Sequence, residues 1–358
     1  MFTRDDWVSL CHVSPAIFAC IVSGGKLKYG KHWKKIDAAL MRIYNGELKK
    51  LIVNIPPQFG KSELISKHLP AWYLGKFPQK KIMLVSYESE FAASWGNKAR
   101  QLYSEYSKFV FGCSLGNMAR AEWWNTDQGG YMVTSGALSA VTGKGADLLI
   151  IDDPHKNISD AHSKHSRNKV WDNYLATYLT RLQPGAAQII IQTRWHEDDL
   201  TGRLLKQEGD EWEKIVMPAL NHDYTESLFP ERYSVEELLA KKKTMGEYVF
   251  NALYQQSPTP KEGGIFKRKW FKFYQRLPDK FDRIIISWDL SEGTEDEESG
   301  NSYQVGFALG RIGADTYVID LTRIRADFPE QVRRIKAQAL KHKNHKGILI
   351  EKKSTGKA

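Results

Sequence analysis

Residues 51–62 have the sequence Leu51-Ile-Val-Asn-Ile-Pro-Pro-Gln-Phe-Gly-Lys-Ser62, an apolar run followed by a tight loop and the start of a helix. An apolar run without polar alternation predicts a parallel strand that is covered on both faces. Backbone N–H groups at such a loop and helix start can bind phosphate oxygens. Lys61 can neutralise the β and γ oxygens, and the Ser62 hydroxyl can ligate magnesium. Because Ile55 replaces the usual first glycine of the loop, an ordinary helix start stays open on this stretch alone.

Two adjacent carboxylates follow a second apolar run, Leu148-Leu-Ile-Ile-Asp-Asp153. An acid at the carboxyl end of a parallel strand faces the crevice where α/β sheets bind ligands. Asp152 can therefore hold the hydration shell of a magnesium ion, and Asp153 can orient an attacking water. Together the two stretches predict an ATP-binding site rather than a solvated strand edge. The residues predicted to contact ATP or its metal are Gln58, Gly60, Lys61, Ser62 and Asp152.

A third apolar strand, Gln188-Ile-Ile-Ile-Gln-Thr-Arg194, also ends in polar residues. In a nucleotide-driven motor, a polar strand end beside the acid strand can sense the γ-phosphate and pass its loss to a moving element. Gln192 and Thr193 suit this role. The alternative that stays open is a simple strand exit into a helix cap.

Length and composition fit a folded protein of about two domains. The chain has 358 residues, 42% of them apolar and 26% charged, which excludes a minimal binding module and wholesale disorder. Its 52 basic and 42 acidic residues give a net charge of +10, which favours polyanionic partners such as nucleic acid. Three cysteines are too few and too far apart for a disulfide framework, and no export signal or membrane span is visible.

Helical patterns separate the strands of the first two thirds, at residues 89–106 and 159–182. Ser234-Val-Glu-Glu237 is a capping box that predicts a helix running towards Gln256. Two prolines and two glycines in residues 257–264 then break the pattern and indicate a linker.

The remaining sequence predicts three successive strands, a helix and a fourth strand, at residues 283–290, 303–309, 316–321, 328–343 and 347–351. Asp289 lies near the end of the first strand, and Glu351 ends the fourth. Phosphodiester cleavage by two metals needs several carboxylates that converge on ions about 3.5 to 4 Å apart. Asp289 and Glu351 are the candidates, although acids at strand ends are also common in plain loops.

Three motifs in order carry a resemblance to a known family: Pro56-Pro-Gln-Phe-Gly-Lys-Ser62, Thr142-Gly-Lys-Gly-Ala-Asp-Leu-Leu-Ile-Ile-Asp-Asp-Pro154 and Thr193-Arg-Trp-His-Glu-Asp-Asp-Leu200. The chain resembles, over nearly its whole length, the ATPase and nuclease large subunit of the tailed-phage DNA-packaging terminase. The resemblance implies that Lys61 and Ser62 belong to the Walker A loop and that Asp152 and Asp153 belong to the Walker B strand. It implies that the coupling segment is formed by Gln192, Thr193 and Arg194. Gln58 stands where such loops often carry arginine.

The same resemblance implies an α/β fold in two domains. Residues 1–256 would form a P-loop, ASCE-type ATPase motor with a mainly parallel sheet, an N-terminal helical region on the adenine side and a C-terminal helical subdomain. Residues 257–282 would be the linker, and residues 283–358 an RNase H-like nuclease domain. Its first and fourth strands would lie side by side, so that Asp289 and Glu351 face one another as catalytic metal ligands. Because the family's last strands and late aspartate would lie beyond Ala358, we expect either a fragment or an incomplete nuclease site.

The resemblance further implies ATP-driven translocation of double-stranded DNA into a phage procapsid and metal-dependent endonuclease cutting of concatemeric DNA. The implied cofactors are ATP with Mg²⁺ for the motor and Mg²⁺ or Mn²⁺ for the nuclease. The implied partners are the portal protein, the small terminase subunit and further copies in a ring on the portal, in the host cytoplasm and without a membrane. Arg120 and Lys144 are candidates for a basic residue that reaches the γ-phosphate of a neighbouring subunit. A helicase-like remodelling ATPase and a DNA-gripping protein with an inactive nuclease fold stay open as alternatives.

Overall fold

The computed structural model describes residues 3–120, 122–139, 143–259, 272–290, 304–324 and 326–350. Residue contacts divide the chain into two compact units, Met1–Ile265 and Phe266–Ala358. The division falls within residues 257–282, where the sequence predicts a linker. Each unit is built around its own sheet.

The sheet of the first unit is formed by β1 (Lys50–Asn54), β2 (Lys81–Ser86), β3 (Leu115–Arg120), β4 (Trp123–Thr126), β5 (Tyr131–Gly136), β6 (Ala146–Asp152), β7 (Leu182–Gln192) and β8 (Glu213–Val216). The strand order is β3-β4-β5-β2-β6-β7-β1-β8. Along this order, each strand from β5 to β8 is parallel to the next. The pairs β3-β4 and β4-β5 are antiparallel. This confirms the predicted α/β fold with a mainly parallel sheet.

Both faces of this sheet are buried. Leu51 and Val53 join one buried apolar cluster, whereas Ile52 between them joins a second cluster on the opposite face. Because neither face meets water, the strands need no polar alternation, and this is why the sequence predicted parallel strands between helices.

The α-helices of this unit are α1 (Arg4–Cys11), α2 (Pro15–Val22), α3 (Lys31–Tyr44), α4 (Leu69–Lys76), α5 (Ser89–Val110), α6 (Ile158–His162), α7 (Lys164–Asn173), α8 (Leu200–Glu208), α9 (Val235–Met245) and α10 (Glu247–Leu253). A π-helical turn, Glu63–His68, precedes α4, and a π-helical turn and a 3₁₀ turn, Tyr174–Tyr178 and Leu179–Arg181, precede β7. Within the described ranges, every helix is too short or too polar to cross a membrane.

Two predicted helices are each interrupted by one residue. The helix predicted over 159–182 is wrong as a single element, because the backbone of Ser163 is extended and its hydroxyl caps a new helix. The helix predicted from Ser234 begins at the expected capping box. It does not continue to Gln256, because Gly246 at a φ of 82° separates α9 from α10. Glycine adopts this left-handed conformation without the cost that a side chain adds.

The second unit contains β9 (Arg283–Asp289), β10 (Gln304–Ile312), β11 (Asp315–Ile324), α11 (Phe328–Lys341) and β12 (His345–Ile350). The strand order is β11-β10-β9-β12, with β9 and β12 parallel and the other pairs antiparallel. Ile286, Trp288 and Ala308 form the buried centre, against which Ile335 of α11 packs. Three strands, a helix and a fourth strand beside the first are therefore observed in the predicted order.

Candidate nucleotide-binding site

The sheet brings the three sequence motifs of the first unit to one edge. Strand β7 lies between β6 and β1, and all three run in parallel. Asp152 at the end of β6 is opposite Ile191, and Asn54 at the end of β1 is opposite Gln192. The loop after β1, the acids of β6 and the polar residues after β7 therefore meet at the carboxyl edge, where α/β sheets bind ligands.

The loop after β1 contains two residues with left-handed backbone, Gln58 at a φ of 66° and Gly60 at a φ of 82°. A Cβ at Gly60 would lie only 2.8 Å from Trp33 Nε1, so the buried Trp33 ring leaves room for glycine alone. The Gln58 side chain accepts a hydrogen bond from the Tyr233 hydroxyl at 2.9 Å. Trp33 therefore packs against the loop at Gly60. Tyr233, which precedes the Ser234 cap, holds the loop through its hydrogen bond to Gln58.

We expect Gly60→Ala to lower the free energy of unfolding by more than the roughly 1–3 kcal/mol that left-handed strain costs, because Trp33 must also move. Gly129→Ala is the matched control, since Gly129 has a φ of 89° and an added Cβ would meet nothing within 4 Å. Urea unfolding of both variants measures the difference. Equal losses would contradict the role given to the Trp33 contact.

Lys61 is buried and contacts both of the other motifs. Its Nζ lies 2.6 Å from Asp153 Oδ2 and donates a hydrogen bond to Thr193 Oγ1 at 2.9 Å. The backbone N–H of Thr193 donates to Asp153 Oδ1 at 2.8 Å. Asp153 itself has a φ of 45°, a costly conformation for a residue with a side chain. Lys61, Asp153 and Thr193 come from three separate motifs, and each of them therefore contacts the other two.

Asp152 is fully buried and faces the helical segment after the loop. Burial, followed by the neighbouring Asp153 carboxylate, raises the pKa of Asp152 to about 6, against the lowering effects of Lys61, Ser66 and Ser62. Ser66 Oγ donates to Asp152 Oδ2 at 2.7 Å. Oδ1 has no hydrogen-bond partner within the described ranges, which is costly for a buried carboxylate oxygen. Oxygen ligands of this kind, an acid beside a hydroxyl, fit a partly hydrated magnesium ion.

The predicted coupling segment continues from this contact into a buried ion pair. Arg194 Nε lies 2.7 Å from Asp199 Oδ2, and burial raises the pKa of Asp199. Asp199 also caps α8 by accepting from the N–H of Gly202 at 2.9 Å. The Gln192 amide is buried without a well-formed hydrogen bond to a described residue. The segment therefore leads from the end of β7 into the cap of α8. One of its residues, Thr193, also contacts Lys61.

Sequence reasoning missed two residues of this region, Ser66 and Gln256. Ser66 lies four positions after Ser62, so helical spacing from the predicted metal ligand was a usable signal. Gln256 accepts a hydrogen bond from the backbone N–H of Arg194 at 3.2 Å across 62 residues of sequence. No pattern in the sequence points to that contact.

Arg120 and Lys144, the two candidate basic residues, line one cavity of about 540 Å³ together with Glu122 and Trp123. Lys144 Nζ lies 4.0 Å from the Trp123 ring centroid, at the distance of a cation–π contact. Strands β5 and β2 separate β4, which carries Trp123, from β6. The cavity therefore belongs to the antiparallel end of the sheet.

The second unit presents Asp289 at the exposed end of β9, beside β12. Ile350, the last residue of β12, lies opposite Trp288. Glu351 lies outside the described residues, as do the acids of residues 292–298. Within the described ranges, no group of three or more His, Cys, Asp or Glu side chains is placed to hold a metal ion. Asp289 is therefore the predicted nuclease acid that the structure locates.

A different acid of this sheet, Asp320 on β11, is bound to helix α11. Its Oδ1 accepts from Lys341 Nζ at 2.9 Å, and its Oδ2 lies 3.1 Å from His342 Nε2. These hydrogen bonds outweigh burial and lower the pKa of Asp320. Asp320 thus stabilises the packing of the helix end on the sheet.

A protein family described as "Terminase large subunit, T4likevirus-type, N-terminal" matches residues 52–273 of the chain. Among solved structures, the chain is similar to the large terminase of bacteriophage HK97, with 12% identity and a TM-score of 0.48 over 98% of this chain and 74% of that chain. It is also similar to the large terminase ATPase domain of Thermus phage P74-26, with 12% identity and a TM-score of 0.45 over 62% and 93% of the two chains. The large terminase of the thermophilic bacteriophage D6E in complex with ADP has 10% identity and a TM-score of 0.38 over 90% and 75%. No curated protein matches the chain.

Proposed function

The chain belongs to the T4-like-virus type of terminase large subunits, the ATPases of phage DNA packaging, and we propose that it hydrolyses ATP to drive double-stranded DNA into a procapsid. The observation that carries the proposal is the contact of Lys61 with Asp153 and Thr193 at the carboxyl edge of the sheet. It joins the phosphate loop, the acid pair and the coupling segment, which are the parts that an ATP-driven motor needs.

The residues divide the proposed reaction among them. Backbone N–H groups around Gly60 would bind the phosphates, and Lys61 would exchange its contact with Asp153 for the β and γ oxygens. Asp153, once released by Lys61, is then available to accept a hydrogen bond from the attacking water. Ser62 and Asp152 would hold Mg²⁺, which neutralises charge on the phosphate oxygens.

Thr193 connects the proposed exchange of Lys61 contacts to the coupling segment. Its hydroxyl and its N–H bind Lys61 and Asp153, respectively, so any change in the Lys61–Asp153 contact changes both hydrogen bonds. The next residue, Arg194, is joined to the N-terminal cap of α8 through Asp199. We propose that loss of the γ-phosphate is passed along Thr193 and Arg194 in this way, with Gln192 as the strand end that precedes them.

The proposal includes assembly with other components in the cytoplasm of the infected host. Several copies would form a ring on the phage portal protein, with the small terminase subunit as a further partner. The cavity that contains Arg120 and Lys144 supplies two basic side chains for the γ-phosphate of a neighbouring copy. The positive net charge of the chain, +10, favours duplex DNA as the substrate that the ring moves.

We further propose that the second unit, over residues 283–358, cuts DNA with Mg²⁺ or Mn²⁺ at Asp289 and Glu351, with residues 257–282 as the linker to the motor at 1–256. The support is the neighbouring parallel pair of β9 and β12, whose carboxyl ends share one edge of the sheet. Two carboxylates at such an edge are the ligand type that a two-metal site requires.

ATP turnover by the full chain, measured with Mg²⁺ and with or without duplex DNA, tests the motor. We expect turnover that duplex DNA stimulates, and no strand separation in a parallel displacement assay. Strand separation would favour a helicase-like remodelling ATPase. A chain without ATP turnover under both conditions would contradict the proposed function.

A further inference from the structure

Gln256 is a buried residue that holds the coupling segment by its main chain. Its Oε1 accepts a hydrogen bond from the N–H of Arg194 at 3.2 Å, and its Nε2 donates to the carbonyl of Leu253. The residue is 4% exposed, so both ends of the amide are used in a dry environment. Because this hydrogen bond is partly buried, an Arg194 N–H that lost its acceptor would be only incompletely solvated, so the position of the Arg194 peptide depends on this glutamine.

The backbone that presents Gln256 is itself fixed. The neighbouring Gln255 forms two hydrogen bonds with the main chain of Leu220, one from the Leu220 N–H and one to its carbonyl, each at 3.1 Å. The N–H of Ala219 donates to the carbonyl of Tyr254 at 2.6 Å. Residues 254–256 are therefore held in register against residues 219–220, and the Gln256 side chain points at Arg194 from a rigid base.

The conformation of Gln256 also groups it with the nucleotide site. Its φ is 54°, and among the described residues only three other non-glycine residues have a positive φ: Gln58, Asp153 and Tyr224. Two of these, Gln58 and Asp153, belong to the phosphate loop and the acid pair. Such strain persists only where the surroundings hold it, and it clusters at functional sites.

Two consecutive peptide groups link Gln256 to the reacting centre. The N–H of Thr193 binds Asp153, and the N–H of Arg194 binds Gln256. Because the peptide unit is planar, rotation of the Arg194 N–H away from Gln256 also turns the Thr193 carbonyl. This rotation reorients the preceding peptide unit, which contains the Thr193 N–H. The Thr193 hydroxyl in turn contacts Lys61.

We propose that Gln256 is a positioning residue for ATP hydrolysis, which acts by fixing the Arg194 peptide and thereby the contacts of Thr193 with Lys61 and Asp153. The inference rests on the proposed ATPase function and extends it by one residue. Among the described contacts, Gln256 makes none with the residues proposed to bind phosphate or metal. We therefore expect Gln256 to affect the geometry of the catalytic residues rather than the affinity for nucleotide.

The test compares kcat and KM for ATP in the full chain and in three variants, Gln256→Leu, Gln256→Glu and Gln188→Leu. Gln256→Leu removes the acceptor, and we expect kcat to fall about ten- to a hundredfold, the scale of a 1 Å misplacement, while KM stays within about twofold. Gln256→Glu keeps an acceptor oxygen at the same length, and its protonated form can donate an O–H to the Leu253 carbonyl as Nε2 does, so we expect its kcat to exceed that of Gln256→Leu, most clearly at lower pH. Gln188→Leu replaces another buried glutamine of the same unit, removes the acceptor of the Tyr174 hydroxyl without touching Arg194, and is expected to retain kcat.

The thermal unfolding midpoint of each variant separates positioning from stability. A Gln256→Leu variant that turns over ATP like the unaltered chain would overturn the inference alone. Equal losses of kcat in Gln256→Leu and Gln188→Leu, or a Gln256→Glu variant as slow as Gln256→Leu at every pH tested, would also overturn it, because the effect would then not depend on the acceptor at position 256. An unaltered chain without ATP turnover would overturn the proposed function and this inference with it.

Discussion

Lys61→Ala is expected to remove nearly all ATP turnover, with a fall in kcat of at least about a hundredfold, the scale of losing one preorganised charge-stabilising donor. Lys61 is the buried cation of the proposed phosphate loop, and its Nζ is 2.6 Å from the Asp153 carboxylate. Alanine leaves neither a charge for the γ oxygens nor a partner for Asp153. A phosphate-release assay at saturating ATP and Mg²⁺ measures the loss.

Lys67→Ala is the matched control for this variant. Lys67 lies in the π-helical turn that follows the proposed phosphate loop, and its Nζ pairs with Glu63, four residues earlier. Such a partly exposed pair contributes at most about 1 kcal/mol, so turnover should stay close to that of the unaltered chain. Unchanged turnover in Lys61→Ala would refute the assignment of the site, and equal losses in both variants would show that the helix, and not the charge, was needed.

The sequence was sufficient to locate the elements that carry the proposed nucleotide site. β1, β6 and β7 are apolar runs that end abruptly in polar residues, and burial on both faces of the sheet is the cause of that pattern. The resemblance to terminases added the assignment of Gln192 to Arg194 as the coupling segment. The adjacency of β7 to both other strands then follows from the observed sheet order.

The sequence was not sufficient where a single residue decides the local structure. Ser163 interrupts a stretch whose composition is helical on both sides, because its hydroxyl caps α7 while its own backbone is extended. Ser66 and Gln256 act through hydrogen bonds that span 86 and 62 residues of sequence, and only the folded backbone brings those partners together. Periodicity reports burial along one element, so it contains no information on such contacts between elements.

Asp289→Ala is expected to abolish metal-dependent cutting of plasmid DNA by the full chain. Asp289 ends β9 beside β12, at the edge where the proposed metal ions would bind. Loss of a direct metal ligand should reduce cutting by more than the roughly 10- to 100-fold that loss of an outer-shell partner costs. Nicked and linear plasmid on agarose gels, with Mg²⁺ and then Mn²⁺, measures the activity.

Asp320→Ala is the matched control, because it removes an acid of the same sheet that binds Lys341 and His342 at the end of α11. It should weaken helix packing and leave cutting in place, so a loss confined to Asp289→Ala assigns the chemistry to the end of β9. Cutting that survives in Asp289→Ala would contradict the proposed site. The nuclease proposal fails if the unaltered chain binds duplex DNA with a strong salt dependence yet cuts it with neither metal. The second unit would then be better described as a DNA-gripping fold, because phosphate neutralisation alone produces that salt dependence.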